Sequence, residues 1–217
     1  MSNNEAISEL TTGRLSVYLR CLTYLQSLNQ ETVSSAELAE RFHLNSAQIR
    51  KDLACFGDFG TRGVGYNVAR LKEQLVRTLG IDRTRNVLIV GAGNLGMALA
   101  DYRGFNENGF RIVALVDVDR EKVGRTSRSG IPVLPASDLG TIVRQRGVDI
   151  AIIAVTSDAA QRVYDALADA GVNAILNFAP IQIRTQDRVK LKSVDLRINL
   201  ESLSFYLKNV EDGMIRD

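Results

Sequence analysis

The chain has 217 residues, 45% apolar and 24% charged, an ordinary globular composition that can bury one core or two small ones. No apolar run approaches the length of a membrane span, and the start Met1-Ser2-Asn3-Asn4-Glu5 carries no basic n-region, so an anchor or secretory leader is not expected and a cytoplasmic protein is. Net charge is only +2, yet residues 41–85 hold 9 basic against 4 acidic side chains, the kind of local positive field that a phosphate backbone selects.

From Thr12 to Asn29, Leu15, Leu19, Leu22, Leu25 and Leu28 recur at helical spacing, with Val17, Tyr18, Cys21 and Tyr24 between them. This predicts a helix with one broad buried face, capped by Thr11 or Thr12. Ser34 and Ser35 then open a short second helix that reaches Phe42, with Leu38, Ala39 and Phe42 on one side. His43-Leu44-Asn45 reads as a turn, in which His43 is a turn residue or a phosphate contact.

Ser46 to Phe56 reads as a third helix, capped by Asn45 or Ser46, with Ile49, Leu53 and Phe56 inward and Gln48, Arg50 and Lys51 toward solvent. Helix, short turn and helix with an exposed basic face is the arrangement that lays a recognition helix in the DNA major groove. Arg pairs with guanine edges or holds phosphates, and Gln reads adenine, so Ser46, Gln48, Arg50 and Lys51 are candidate DNA contacts. Cys21 and Cys55 are too far apart for a Cys-x-x-Cys pair or a zinc site and are expected as core residues; no metal centre is expected.

Gly57 to Tyr66 is too rich in glycine for a helix. It is either a flexible linker or the wing of a winged helix with Arg62 at the tip, placed to enter the minor groove. Val64 and Tyr66 alternating with small residues favour the wing. Val68, Leu71, Leu75, Val76 and Leu79 give one more helix, and Gly80 to Arg85 is the expected boundary of a DNA-binding domain spanning 1–80.

Asn86-Val87-Leu88-Ile89-Val90 runs into Gly91-Ala92-Gly93-Asn94-Leu95-Gly96, the order strand, tight turn, helix that a dinucleotide pyrophosphate needs. Gly91 makes the turn, Gly93 lets the backbone approach the phosphates at the helix N-terminus, and Gly96 lets the helix pack close to the strand. Arg111 to Asp117 reads as a second strand whose terminal carboxylate accepts ribose hydroxyls. That favours NAD(H) over NADP(H), although Arg120, Lys122 and Arg125 stand just downstream and could receive a 2′-phosphate. A βα turn in a flavodoxin-like or CoA-binding domain is the bland alternative.

Gly130 to Leu134 reads as an edge strand, Leu139 to Val148 as a crossover helix, and Asp149 to Val155 as a central parallel strand. Thr156-Ser157-Asp158 caps a helix to Ala170, and Asn173 to Pro180 holds another strand. Thr156 and Asn177 thus stand at the carboxyl edge of the sheet, where ligands of open α/β folds bind. The expected fold is α/β: a winged helix-turn-helix domain over 1–80, a Rossmann domain over 86–198 that is complete by Asn177, and a C-terminal helix over 199–217. Leu200, Leu203, Leu207, Val210 and Met214 keep an apolar stripe on that helix, which needs a partner surface on its own domain or on a second subunit.

A small NAD-dependent dehydrogenase would need an acid or base near the nicotinamide. The only histidine, His43, lies in the helix-turn-helix stretch, Lys122, Lys190, Lys192 and Lys208 have no catalytic setting, and no room remains for a substrate domain. A CoA-binding domain on a helical adaptor leaves the basic helix and the Arg-tipped loop unexplained.

The motifs Gln48-Ile49-Arg50-Lys51-Asp52-Leu53-Ala54, Thr61-Arg62-Gly63-Val64-Gly65-Tyr66, Gly91-x-Gly93-Asn94-Leu95-Gly96, Ala98-Leu99-Ala100-Asp101-Tyr102, Asp117-Val118-Asp119, Leu176-Asn177-Phe178-Ala179-Pro180 and Val194-Asp195-Leu196 occur in this order over nearly the whole chain. Together they resemble the redox-sensing transcriptional repressors of the Rex family. The resemblance implies a homodimer on a palindromic duplex operator, a C-terminal helix exchanged between subunits, and release of the operator by NADH but not by NAD+. It also implies that Arg20, Tyr102 and Asp195 form a network coupling nicotinamide state to domain orientation, with Tyr102 also near the cofactor. Cys55, Thr156 and Asn199 depart from the family pattern, where an aromatic, a proline and an acid are common.

Overall fold

The computed structural model describes residues 9–57, 59–61, 63–106 and 108–212, which divide into two units, 1–83 and 84–217. In the first, helix α1 (Glu9–Ser27) starts earlier than the sequence suggests: Thr11 and Thr12 lie inside its first turn and not ahead of it. Gly13 does not interrupt it. Asn29, at φ 57°, turns the chain out of the helix and into a two-residue strand β1 (Thr32–Val33).

Helix α2 (Ser35–Phe42) begins with reciprocal capping: Glu37 N–H donates to Ser34 Oγ at 3.1 Å and Ser34 N–H donates to the Glu37 carboxylate at 2.6 Å. His43 ends it in the left-handed region, and α3 (Ser46–Ala54) follows with Gln48 N–H donating to Asn45 Oδ1 at 2.9 Å. Cys55 is exposed, which corrects the core assignment. It stands two residues past the buried Leu53, a rotation that carries it to the opposite side of the helix; Cys21 is buried as expected.

Strands β2 (Gly60–Thr61) and β3 (Gly65–Asn67) pair antiparallel, and β3 pairs also with β1, giving a small sheet of order β1-β3-β2. The glycine-rich stretch is therefore a wing. Gly65 has φ +91°, and a Cβ there would stand 2.6 Å from the Val33 carbonyl oxygen, so the crossing of β3 over β1 requires glycine. Helix α4 (Val68–Thr78), capped by Asn67, closes the unit. Leu15, Leu22, Leu25, Leu38, Ile49, Leu53, Leu71 and Leu75 form its core, each worth about 2 kcal/mol on burial.

The second unit begins with strand β4 (Arg85–Val90), helix α5 (Asn94–Ala100) and the short α6 (Arg103–Asn106), followed by β5 (Phe110–Asp117) and β6 (Val133–Pro135). A 3-10 turn over Ala136–Asp138 leads into α7 (Leu139–Arg146), then β7 (Ile150–Ile153), α8 (Ser157–Asp169) and β8 (Ala174–Asn177). A further strand, β9 (Lys190–Ser193), pairs parallel with β8, so the sheet is not complete at Asn177. The described order is β6-β5-β4-β7-β8-β9, all parallel.

Alternate residues of each central strand face opposite helical layers. Leu88 and Val90 pack with Ala151, Ile153 and the α7–α8 side chains Ile142, Tyr164 and Leu167. Val87 and Ile89 pack with Ile112, Leu115, Ile152 and Ala100 of α5. This is why the strands read as unbroken apolar runs. Among the described residues no helix is long and apolar enough to cross a membrane.

Helix α9 (Leu196–Glu211) starts at Leu196, three residues before the expected boundary, because Asp195 accepts the Arg197 N–H at 2.9 Å and caps it there. None of its described residues is buried, and Leu200, Leu203 and Leu207 are 66%, 60% and 59% exposed. It does not pack back on its own domain. Met214 lies outside the described residues.

Candidate functional site

The carboxyl ends of β4, β5 and β7 open into a cleft of about 530 Å³, bordered among others by Gly91, Gly93, Asp117, Lys122, Thr156 and Arg162. It sits where the chain reverses its direction of travel across the sheet, between β4 and β7. The three glycines do different work. Gly91 has φ +105°, and a Cβ on it would collide with the Ala154 carbonyl oxygen. A Cβ on Gly96 would collide with the Gly91 carbonyl oxygen, so α5 sits directly on the turn. A Cβ on Gly93 would meet no protein atom within 4 Å. Its missing side chain keeps open a space that the protein itself does not use, which is the fit expected of a backbone that cradles a ligand phosphate.

Asp117 ends β5 with its side chain only 9% exposed. Its Oδ2 accepts the Ala92 N–H at 2.7 Å, its Oδ1 accepts the Asp119 N–H at 2.9 Å, and Lys122 Nζ stands 3.3 Å from Oδ2. Burial pushes this carboxyl up, but the two N–H donors and the Lys122 ammonium outweigh it and hold it below the ordinary carboxylate range. Lys122 also lies 3.7 Å from Asp119. Lys122, one of the three cations just downstream of Asp117, is thus paired with two carboxylates.

Asn94 and Leu95, in the first turn of α5, are exposed, and Ala92 is buried beneath the turn. Thr156 is exposed at the start of α8 and lines the cleft. Asn177 does not reach it with its amide. The residue is fully buried, donating through Nδ2 to the Ala179 oxygen and Ser193 Oγ and accepting the Ala179 N–H. It supports the β8 end from beneath. Arg162, in the second turn of α8, also borders the cleft, and nothing in the sequence singles it out.

On the first unit, Arg50 and Lys51 are exposed on α3 and Ser46 is half-buried. Arg50 Nη1 donates to Ser35 Oγ at 3.0 Å, and this guanidinium borders a notch of about 480 Å³ between the start of α2 and the wing residues Gly60 to Tyr66. Gln48 was expected toward solvent. It is half-buried because its Nε2 donates to Asp52 Oδ1 at 2.8 Å. Arg62 lies outside the described residues.

Arg20 is exposed on α1 of the first unit. In the second, Tyr102 is 58% exposed with its ring edge-on to Phe105 at 5.0 Å, and Asp195 caps α9. Gly104 makes room for that tyrosine: a Cβ there would stand 2.6 Å from the ring. No hydrogen bond joins Tyr102 to Asp195 in the described residues.

Residues 82–181 match the family described as "CoA binding domain", and residues 6–54 match "Putative DNA-binding protein N-terminus". The redox-sensing transcriptional repressor Rex of Carboxydothermus hydrogenoformans is 50% identical over 93% of this chain and 97% of its own length. That of Streptomyces coelicolor is 46% identical over 94% of this chain and 79% of its own. Among solved structures, RSP in complex with β-NAD+ and operator DNA aligns at 36% identity and a TM-score of 0.91, covering 97% of this chain and 96% of that one. RSP in complex with β-NADH aligns at 34% identity and 0.85, covering 97% and 98%. With a relative at half identity over nearly the full length of both chains, this protein belongs to the Rex family of redox-sensing transcriptional repressors.

Proposed function

We propose that the protein is a DNA-binding transcriptional repressor, not an enzyme, that senses the NADH/NAD+ ratio and releases its operator when NADH binds. The observation that carries this reading is that one chain joins a winged helix with an exposed Arg50–Lys51 face to a glycine-turned cleft closed by an acid. Its relative RSP has been seen with β-NAD+ and operator DNA and with β-NADH.

Gly91, Ala92, Gly93, Asn94, Leu95 and Gly96 would hold the pyrophosphate and Asp117 the adenosine ribose, with Tyr102 and Thr156 completing the site and Asn177, expected from the sequence to contact the cofactor, bracing the end of β8 beneath it. When bound, the nicotinamide supplies the signal, because its oxidised and reduced rings differ by one positive charge and in planarity. Arg20, Tyr102 and Asp195 are the groups proposed to pass that difference to the DNA-binding domain. Ser46, Gln48, Arg50, Lys51 and Arg62 are the proposed DNA contacts. The unburied α9 supports a homodimer in which this helix packs on the second subunit, matched to a palindromic operator. We place the protein in the cytoplasm, with a DNA-binding domain over 1–80, a Rossmann domain from residue 86 and a C-terminal helix that begins at Leu196 and not at the expected 199.

The test is a gel-shift titration on a palindromic duplex with each nicotinamide form. NADH should weaken binding far more than NAD+ does; equal effects of the two would defeat the reading. Arg50→Ala and Lys51→Ala should lower DNA affinity and flatten its salt dependence with NADH affinity unchanged.

A further inference from the structure

Asp52 lies on the buried side of α3, between Ile49 and Leu53, with its side chain only 3% exposed. A carboxylate in that position needs every lone pair satisfied, and it has four donors. Arg14 approaches with two nitrogens, Nε to Oδ2 at 2.6 Å and Nη2 to Oδ1 at 2.7 Å. Tyr18 Oη donates to Oδ2 at 2.9 Å and Gln48 Nε2 to Oδ1 at 2.8 Å. Arg14 and Tyr18 are one turn apart on α1, and Gln48 and Asp52 one turn apart on α3. Three of the four bonds to Asp52, two from Arg14 and one from Tyr18, therefore brace α3 against α1, and the fourth reaches Gln48 on the candidate DNA face.

That fourth bond has a chemical direction. An amide has a donor edge and an acceptor edge, and a carboxylate, which only accepts, can bind only the donor edge. Asp52 therefore fixes Gln48 with its NH2 group inward. Gln48 Oε1 has no hydrogen-bond partner among the described residues; Asp52 takes one of the two amide N–H groups, so the oxygen is turned outward for a ligand with the second N–H beside it.

We infer that Asp52 is a positioning residue for sequence readout: by holding the Gln48 amide in one orientation it makes Gln48 an acceptor in the major groove, selecting an exocyclic amine over a carbonyl. This rests on the reading of α3 as the recognition helix. On the contacted strand an acceptor favours adenine N6 or cytosine N4 and disfavours guanine O6 or thymine O4. Asp52 would then contribute specificity without touching DNA, because a free Gln side chain could turn either edge outward and accept all four bases.

The experiment is selection of binding sites from a randomised duplex library with the full-length protein, comparing wild type, Gln48→Met and Asp52→Asn. Wild type should enrich adenine or cytosine over guanine or thymine about tenfold at one position of each half-site. Gln48→Met, a change at a half-buried surface position, should erase that preference there and leave the others intact. Asp52→Asn, where it folds by circular dichroism, should invert it, because an Asn NH2 group can donate to Gln48 Oε1 and turn the Gln48 donor edge outward. Unchanged preferences in Gln48→Met would overturn the inference, as would a folded Asp52→Asn that keeps the wild-type preference. If Arg50→Ala and Lys51→Ala leave duplex binding intact, it is the recognition-helix reading that has failed; if they abolish it while Gln48→Met reads the same sequence, only the Asp52 inference has.

Discussion

The Ala92 N–H donates to Asp117 Oδ2 at 2.7 Å, which ties the first turn of the nucleotide domain to the end of its second strand. The acid proposed to meet the ribose also sets the shape of the loop proposed to meet the phosphates. Its second oxygen is taken by the Asp119 N–H. Asp117→Asn keeps the volume but replaces one acceptor by a donor that faces an N–H or the Lys122 ammonium. Hydrogen bonds to charged groups contribute about 1.5–3 kcal/mol, so NADH affinity should fall roughly 10- to 100-fold by isothermal titration, while operator affinity without NADH stays unchanged.

Gly93 and Gly96 should fail differently when replaced by alanine. Gly93 has φ −80°, open to any residue, and its Cβ would enter empty space, so Gly93→Ala should melt at or slightly above the wild-type temperature and yet bind NADH at least tenfold more weakly. Gly96→Ala drives its methyl into the Gly91 carbonyl and should lower stability by about 1–3 kcal/mol. Thermal melts and NADH titrations on the two variants separate the roles. Equal losses of stability would show that Gly93 is a packing residue.

Leu203 and Leu207, one turn apart on α9, are 60% and 59% exposed. If a second subunit covers them, Leu203→Glu with Leu207→Glu should give a monomer by sedimentation equilibrium and sharply reduced affinity for a palindrome. NADH affinity should survive wherever the pocket is built within one chain. A variant that remains dimeric would place the subunit contact elsewhere.

The Asp52 cluster gives the N-terminal unit a defined pH dependence. Burial, and then the hydrogen bond to Asp52, push the Tyr18 hydroxyl from its ordinary value near 10 up to about 12. A folded value above the unfolded one means stability that is complete below pH 10 and is lost as pH rises from about 10 to about 12. Hydrogen bonding by Arg14, the leading cause, holds Asp52 below its ordinary range, so its contribution is present above about pH 4 and lost as pH falls further. Tyr18→Phe should cost about 1.5–3 kcal/mol at pH 7, and the gap to wild type should shrink between pH 10 and 12. Tyr66, also raised by burial, is present in both proteins and cancels. Chemical denaturation at pH 7, 10 and 12 measures the gap.

The legible parts of the fold were those with strong local chemistry. Ser34 with Glu37, Asn45 before Ser46, and the apolar runs at Val87–Val90 and Ala151–Ile153 each carry a capping or periodicity signal that tertiary contacts then respect. Strand β9 was not legible because Lys190-Leu191-Lys192-Ser193 is an edge strand with only Leu191 half-buried, and lysines on an edge hide the alternation while guarding against aggregation. Strand β1 is two residues long and exists only through its pairing with β3. Within the site, the glycines and Asp117 were readable from spacing. Arg162 was not, since a single Arg on a solvated helix has no local signature. Asp52 did carry one: it falls on the same helical face as Ile49 and Leu53, and an acid on an apolar stripe signals a buried partner.

Binding of dinucleotide and of operator must be energetically coupled if the protein reports redox state to DNA, and such coupling is reciprocal. The decisive measurement is NADH affinity with and without saturating operator duplex at fixed salt. Operator should weaken NADH binding by the same factor by which NADH weakens operator binding, on the order of 5- to 150-fold. An NADH affinity that saturating operator leaves unchanged would contradict redox control of DNA binding by this chain.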